Sequence, residues 1–298
     1  HSDLRRQRQM CIRDRNSLPQ IKSSADDFGM ATLNEINLPI LSVIGDQQAA
    51  LFGQCCFGEG QAKNTYGTGC FMLMNTGNKP IESNNGLLST VGWRIGNDTT
   101  YALEGSVFVA GAAIQWLRDG ISIINDAAES ERLALAAGDT SELIVIPAFA
   151  GLGAPYWDMY ARGAIIGITR DTGRAEITKA TLESLAFQVR DVLLAMTEDS
   201  GIDLEALNVD GGACANNYLM QFQSDILQKP IDRPTLKEST ALGAAFLAGI
   251  QAGLWHIDDL KRIRISEQLF TAQMDTDKVS LSVNKWNKAI ERVKNWID

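Results

Sequence analysis

The sequence predicts an α/β fold whose strands end in glycine turns, and three stretches carry that prediction. Leu207-Asn208-Val209-Asp210 runs into Gly211-Gly212-Ala213, followed by Leu219, Phe222 and Ile226 at helical spacing. That order of strand, glycine turn and helix suits a phosphate or nucleotide. Residues 175–200 set Leu185, Val189, Val192 and Met196 on one helical stripe and stop at Gly201, which suits the left-handed end of a helix. Pro39-Ile40-Leu41-Ser42-Val43-Ile44 reads as a strand, and Gly45-Asp46-Gln47-Gln48 puts an acid at its C-terminal end, where open α/β sheets keep their chemistry.

The remaining elements follow along the chain. Residues 1–15 hold five arginines without periodicity, and residues 1–16 are expected to be a disordered or non-native extension. Short strands punctuated by Gly69, Gly77, Gly86, Gly96 and Gly105 suggest a meander between Ala62 and Val109. Residues 111–118 and 125–137 read as helical, Leu143-Ile144-Val145-Ile146 as a buried strand stopped by Pro147, and residues 163–169 as another strand. Pro230 and Pro234 break the chain. The helix expected over residues 241–253 is so rich in Ala and Gly that it must lie close against a neighbour. Val283, Trp286, Ile290, Val293 and Ile297 mark a last amphipathic helix, expected to dock on the same domain.

With 298 residues, 45% of them hydrophobic and 21% charged, the chain can bury a substantial core. A net charge of −9 and a pI near 4.9 argue against nucleic acid as a partner, because no overall positive field would attract a phosphate backbone. No apolar run is long enough to span a bilayer and no secretory signal is recognisable, so the expected compartment is the cytoplasm. Five cysteines without paired spacing read as free thiols, and the only histidines are His1 and His256. Acid–base chemistry must therefore fall to carboxylates, and no protein-held metal site is expected.

Transfer of a phosphoryl group from ATP to an alcohol needs a carboxylate near the hydroxyl, donors around the phosphates, and Mg²⁺ to spread the charge. Asp46 suits the first need, although a lone acid at that position is as readily a helix N-cap. Asn64-Thr65-Tyr66-Gly67-Thr68-Gly69 brings hydroxyls and backbone N–H groups into a tight turn, and an unliganded hairpin would account for it too. Asp210-Gly211-Gly212-Ala213 with Asn216-Asn217 is equally an ordinary strand-to-helix turn with an Asn cap.

Taken together, residues 45–53 (GDQQAALFG), 63–77 (KNTYGTGCFMLMNTG), 111–119 (GAAIQWLRD), 151–158 (GLGAPYWD) and 209–213 (VDGGA) resemble the glycerol kinase pattern within the FGGY family of carbohydrate kinases. The similarity runs from near Leu18 to about Ile263. It implies the ribonuclease H-like ATPase fold shared with actin and Hsp70, in the form of the C-terminal lobe of such a kinase. It further implies ATP-dependent phosphorylation of glycerol to sn-glycerol 3-phosphate, with ATP and Mg²⁺ as cofactors. Asp46 would accept the hydroxyl proton, with Asp46, Gln47 and Phe71 on the polyol. Thr68, Gly111, Gln115, Gly212 and Asn216 would bind the nucleotide, and Trp116, Tyr156 and Trp157 would pack.

On this resemblance residues 17–40 are a remnant of the N-terminal lobe and crossover, and residues 41–298 are the C-terminal kinase domain. The family's Asp-x-Gly-Thr loop has no counterpart here and its effector loop is not recognisable at residues 34–38. The missing N-terminal lobe is thus an implied partner, and a homo-oligomer is implied for the full-length form. A kinase for another polyol or sugar, such as xylulose or gluconate, and a non-catalytic nucleotide-binding fragment are the competing readings. Cys70-Phe71 and Pro155-Tyr156-Trp157 favour glycerol, and Asp46 speaks against a module that only binds. Deleting residues 1–15 is expected to leave the thermal midpoint unchanged, as differential scanning fluorimetry would show.

Overall fold

The computed structural model describes residues 19–138 and 140–297; the expected extension lies outside them. A hairpin of β1 (Met30–Leu33) and β2 (Ile36–Pro39) opens the described chain, and helix α1 (Asp46–Gly53) follows. Next come β3 (Gln61–Tyr66), β4 (Cys70–Gly77), β5 (Leu88–Ile95) and β6 (Asp98–Val107). Helix α2 (Gly111–Gln115), with a π-turn over Trp116–Gly120, and α3 (Glu129–Ala136) lead to β7 (Ile144–Ile146), β8 (Ala164–Ile166) and the long helix α4 (Arg174–Ser200). The chain closes with β9 (Ala206–Asp210), a 3-10 turn at Gly212–Ala215, α5 (Asn217–Leu227), β10 (Ile231–Pro234), α6 (Ser239–Gln251), α7 (Ile257–Ile263), β11 (Ser266–Phe270) and α8 (Thr276–Val293).

Seven strands form the main sheet in the order β11-β10-β9-β3-β4-β6-β5. The pairs β10/β9 and β9/β3 are parallel, and the others are antiparallel. Strand alternation sends Ala62, Tyr66, Cys70, Met72, Met74, Leu103 and Val107 to one face, where they join Leu185, Val189 and Val192 of α4 and Trp286 of α8 in the larger core. Leu73 and Ala102 point to the other face and pack with Leu51 and Phe52 of α1 and Phe246 and Leu247 of α6. Helices thus cover both faces, which is why β4 is buried along most of its length rather than alternating.

Most expected elements are present, with instructive exceptions. Pro39 to Ile44 is not a sheet strand: β2 ends at Pro39, and residues 40–43 pair irregularly, Ile40 N–H donating to Gly29 O at 2.8 Å and Val43 N–H to Ser24 O at 3.1 Å. Its apolar residues therefore satisfy an extended segment, not a ladder. The strands between Ala62 and Val109 depart from a simple meander, since β6 inserts between β4 and β5. Pro230 and Pro234 bracket a strand, β10, whose Ile231 and Asp232 pair with Leu207 and Asn208. The last helix ends at Val293, leaving Ile297 beyond it with its N–H on Tyr160 O at 3.1 Å. Trp286 holds that helix to α4: its ring stacks on Phe187 at 5.1 Å, and its indole N–H donates to Asp191 at 2.7 Å.

The Ala- and Gly-rich helix does lie against a neighbour. A Cβ built on Gly243 of α6 would stand 1.8 Å from Ala49 O of α1, and one on Gly53 would stand 2.1 Å from Ser239 O. Only hydrogen fits between the two backbones. Gly243→Ala is expected to destabilise by about 1–3 kcal/mol, the usual cost of overpacking, seen as a lower urea midpoint with an unchanged m-value.

Candidate active site

The parallel register of β3 with β9, from Gln61 opposite Ala206 to Thr65 opposite Asp210, brings the ends of both strands to one edge of the sheet. Each strand leaves that edge through a glycine turn. Gly211 has φ +84°, a left-handed conformation that disfavours a side chain, and a Cβ there would also stand 2.5 Å from Tyr66 O. The turn at residues 67–69 is tied to the start of α2: Gly67 O accepts from Gly111 N–H at 3.0 Å, and Thr68 O accepts from Ala110 N–H at 2.9 Å and Ala112 N–H at 3.0 Å. A Cβ on Gly111 would stand 2.5 Å from Gly67 O, so glycine permits this approach.

Between these turns lies a cavity of about 480 Å³. All five expected nucleotide residues, Thr68, Gly111, Gln115, Gly212 and Asn216, line it. Tyr66, Ile114, Leu182, Ala213 and Ala215 give it apolar wall, and Ser130 and Glu131 close it from α3. That mixture suits a flat heterocycle with a polar tail. Asn216 is also the cap of α5, its Oδ1 accepting from Leu219 N–H at 2.9 Å while its Nδ2 donates to Ser130 Oγ at 3.2 Å. Asn217 N–H and Nδ2 donate to Glu131, so α3 and α5 hold each other across the cavity rim.

Asp46 is not in this cavity. It is the first residue of α1, exposed, and the N-cap is Gly45, so Asp46 does not serve as the cap. Its Oδ1 accepts from Gln47 N–H at 2.8 Å, and Gln47 Nε2 lies 3.4 Å from its Oδ2. Gln47 Oε1 in turn accepts from Lys63 Nζ, which also donates to Thr65 Oγ1 at 3.0 Å. Phe71 is opposite Thr65 on β4 and 40% exposed, an aromatic surface on an otherwise buried strand.

Lys63 is fully buried. Burial pushes its ammonium down to about 8, opposed by the charges of Asp210, Glu104, Cys56 and Asp46. Burial likewise raises the Glu104 carboxyl, with Lys63 opposing and Asp46 adding to the rise. Asp210 is buried too; its Oδ2 accepts from Gln54 Nε2 at 3.1 Å and its Oδ1 has no partner. Lys63 and Asp210 stand inside quoted motifs without having been singled out, although a lysine in mid-strand is itself a signal. Ser130 and Glu131 carried none, since they reach the cavity only through the docking of α3. Trp116, Tyr156 and Trp157 pack as expected: Trp116 against Phe149 at 5.3 Å, Tyr156 on Asp191 at 2.7 Å, and Trp157 on Gly86 O at 3.0 Å.

A mixed sheet covered by helices on both faces, with a cavity between two glycine turns at parallel strand ends, defines a nucleotide-binding α/β domain. Residues 62–252 match the C-terminal domain of the FGGY family of carbohydrate kinases, and the chain belongs to that family. It has the family's ribonuclease H-like ATPase fold, shared with actin and Hsp70. It is 53% identical over 285 residues to a glycerol kinase of Francisella tularensis subsp. novicida, covering 94% of this chain and 57% of that protein. To a glycerol kinase of Thermoanaerobacter sp. it is 55% identical over 284 residues, with the same coverage. The solved Plasmodium falciparum glycerol kinase with ADP superposes with a TM-score of 0.89 at 40% identity, over 96% of this chain and 59% of that one. A xylulose kinase from Rhodospirillum rubrum, 19% identical with a TM-score of 0.76, covers 92% of this chain and 56% of its own and shows the fold alone. The chain therefore spans a little over half the length of the glycerol kinases it matches.

A Cβ on Gly212 meets nothing within 4 Å, so a side chain there takes volume from the cavity without displacing protein. Gly212→Val is expected to keep the unfolding free energy within about 0.5 kcal/mol. It should weaken binding of ADP, used as the probe in calorimetry, at least about tenfold.

Proposed function

We propose that this chain is the nucleotide-binding, C-terminal lobe of an ATP-dependent glycerol kinase that forms sn-glycerol 3-phosphate. The observation that carries the reading is the convergence of Thr68, Gly111, Gln115, Gly212 and Asn216 on one cavity, with Asp46 at the head of α1 tied to β3 through Gln47 and Lys63. The cofactors of the reaction are ATP, the phosphoryl donor it consumes, and Mg²⁺. A cation of this kind arrives on the phosphates of ATP and keeps several waters, so it asks few ligands of the protein. When bound, Mg²⁺ supplies charge neutralisation at the phosphates.

The residues of this chain divide the remaining work. The apolar wall and Asn216 hold the adenosine end, while Thr68 and the backbone of the 67–69 turn face the phosphates. Gln47 and Phe71 position the polyol. The glycerol hydroxyl oxygen attacks the γ-phosphorus, the bond from that phosphorus to the β,γ-bridging oxygen breaks, and the hydroxyl proton passes to the Asp46 carboxylate. Both reactants must be held in line, and the other half of the acceptor site falls to an N-terminal lobe corresponding to the length of the relatives that this chain does not span. Among the described residues no helix is long and apolar enough to cross a membrane. We place the working enzyme in the cytoplasm, as a homo-oligomer in its full-length form.

Two outcomes test this reading. The chain by itself should bind ATP yet form glycerol 3-phosphate far more slowly than about 1 per second, an ordinary enzyme rate; a host-kinase-free preparation turning over at that rate would overturn it. With an N-terminal lobe supplied by fusion or complementation, Asp46→Asn should lower kcat by about 10²–10⁴, the usual worth of a positioned base. The loss should sit toward the smaller end if the proton leaves late in a loose transition state. The ATP dissociation constant should stay put, and wild-type turnover in this variant removes Asp46 from the mechanism.

A further inference from the structure

Lys63 is a buried charged group beside the proposed acceptor residues that the chemistry above leaves without work. It costs free energy to bury an ammonium, and this one is fully buried in β3 with its Nζ on Gln47 Oε1 and Thr65 Oγ1. An ammonium has three donors and no acceptor, so it can meet only the oxygen of a carboxamide. That choice decides which way round the Gln47 amide sits. With Oε1 held by Lys63, the NH₂ group is turned outward, where Nε2 lies 3.4 Å from Asp46 Oδ2. With the amide reversed, Gln47 would present an oxygen toward the carboxylate instead, and two acceptors would face each other.

We infer that Lys63 is a positioning residue: by holding Gln47 Oε1 it fixes the Gln47 amide so that its N–H groups face Asp46 and a polyol hydroxyl. This rests on the reading of Asp46 and Gln47 as the acceptor end of the site. An N–H donor beside Asp46 leaves the carboxylate free to accept from a hydroxyl, while the hydroxyl oxygen accepts from Gln47. The surroundings maintain the cation that does this. Asp210, which has an unpartnered Oδ1, and Glu104, Asp46 and Cys56 all favour the charged form of Lys63, and burial opposes them. The balance falls at about 8. Below that pH the ammonium selects Oε1; above it the neutral amine also accepts, and Gln47 is released to reverse.

Nuclear magnetic resonance of the isotope-labelled chain tests this without turnover. The side-chain carbonyl of Gln47 and the ε-carbon of Lys63 should titrate with one midpoint near pH 8, and Lys63→Met should leave the Gln47 signal flat. Because Lys63→Met removes a buried side chain and could fail to fold, the more exposed partner is varied as well. Gln47→Ala removes an acceptor of the ammonium and should move the Lys63 midpoint down; Gln47→Glu adds a negative partner and should move it up. A Lys63 midpoint unchanged in both variants, or a Gln47 carbonyl insensitive to pH in the unaltered chain, overturns the inference whatever the acceptor is. With an N-terminal lobe supplied by complementation, glycerol added as the probe at pH 7 should shift the Gln47 NH₂ resonances and lose that effect at pH 9. Coupled titration with no glycerol shift at either pH overturns the acceptor reading, and the positioning role with it.

Discussion

The parallel ladder between β3 and β9 joins segments about 140 residues apart in the chain, and its register leaves no slack: Thr65 stands opposite Asp210, so Tyr66 and Gly211 must turn away from the sheet together. Parallel neighbours point their C-terminal ends the same way, and no hairpin can connect them. The intervening chain is spent on β4, β5 and β6 of the main sheet, the α2 and α3 region, the separate β7/β8 pair and the long helix α4, which packs on the sheet before β9 begins. The cavity exists because two glycine turns are forced to leave one edge side by side, with α2 and α5 starting just beyond them. A one-residue slip would exchange the faces of β9, moving Asp210 into the larger core and Val209 toward α1.

That same alternation separates two environments on one strand. Tyr66 points to the α4 side, where its hydroxyl donates to Gln223 at 2.7 Å and its ring forms cavity wall. Lys63 and Thr65 point to the α1 side, where the groups around Lys63 are charged or polar. An overall charge of −9 says little about either place, because long-range fields are screened over about a Debye length whereas a buried ammonium responds to neighbours a few ångströms away. The acids near Lys63 suffice to keep it charged near neutrality, and burial suffices to bring its proton within reach of ordinary pH.

The sequence made the α/β class legible, together with the long helix ending at Gly201, whose φ is +67°, and the strand, turn and helix from Ala206 to Leu227. These are local patterns, and local patterns survive into structure where propensity and burial agree. The Pro39 to Ile44 run misled because its apolar residues are shared out among a loop, a backbone pairing and the smaller core; a strand needs a neighbour, which no periodicity reveals. Strand β10 went unread for the opposite reason: its prolines look like breaks, but Pro230 precedes the ladder and Pro234 ends it. The gathering of the five cavity residues was implied only by the family resemblance. Ser130, Glu131 and the environment of Lys63 depended on tertiary contacts that no spacing encodes.

On the function proposed above, the two ends of the site stand differently in this chain. The cavity is lined by residues of this chain, with α3 and α5 fastened across its rim by Asn216 and Asn217. The acceptor end differs: Asp46 and Phe71 are open to solvent, and a carboxylate in water gains little from one amide partner. Excluding that water would strengthen every electrostatic contact there. On the proposed reading the buried part of the acceptor end is Lys63 and Thr65 of the sheet holding Gln47 of α1, and Asp46 and Phe71 are the exposed part that a second lobe would cover. On that reading, a carboxylate fixed by a buried scaffold and desolvated only on closure would link proton acceptance to the moment when both substrates are held.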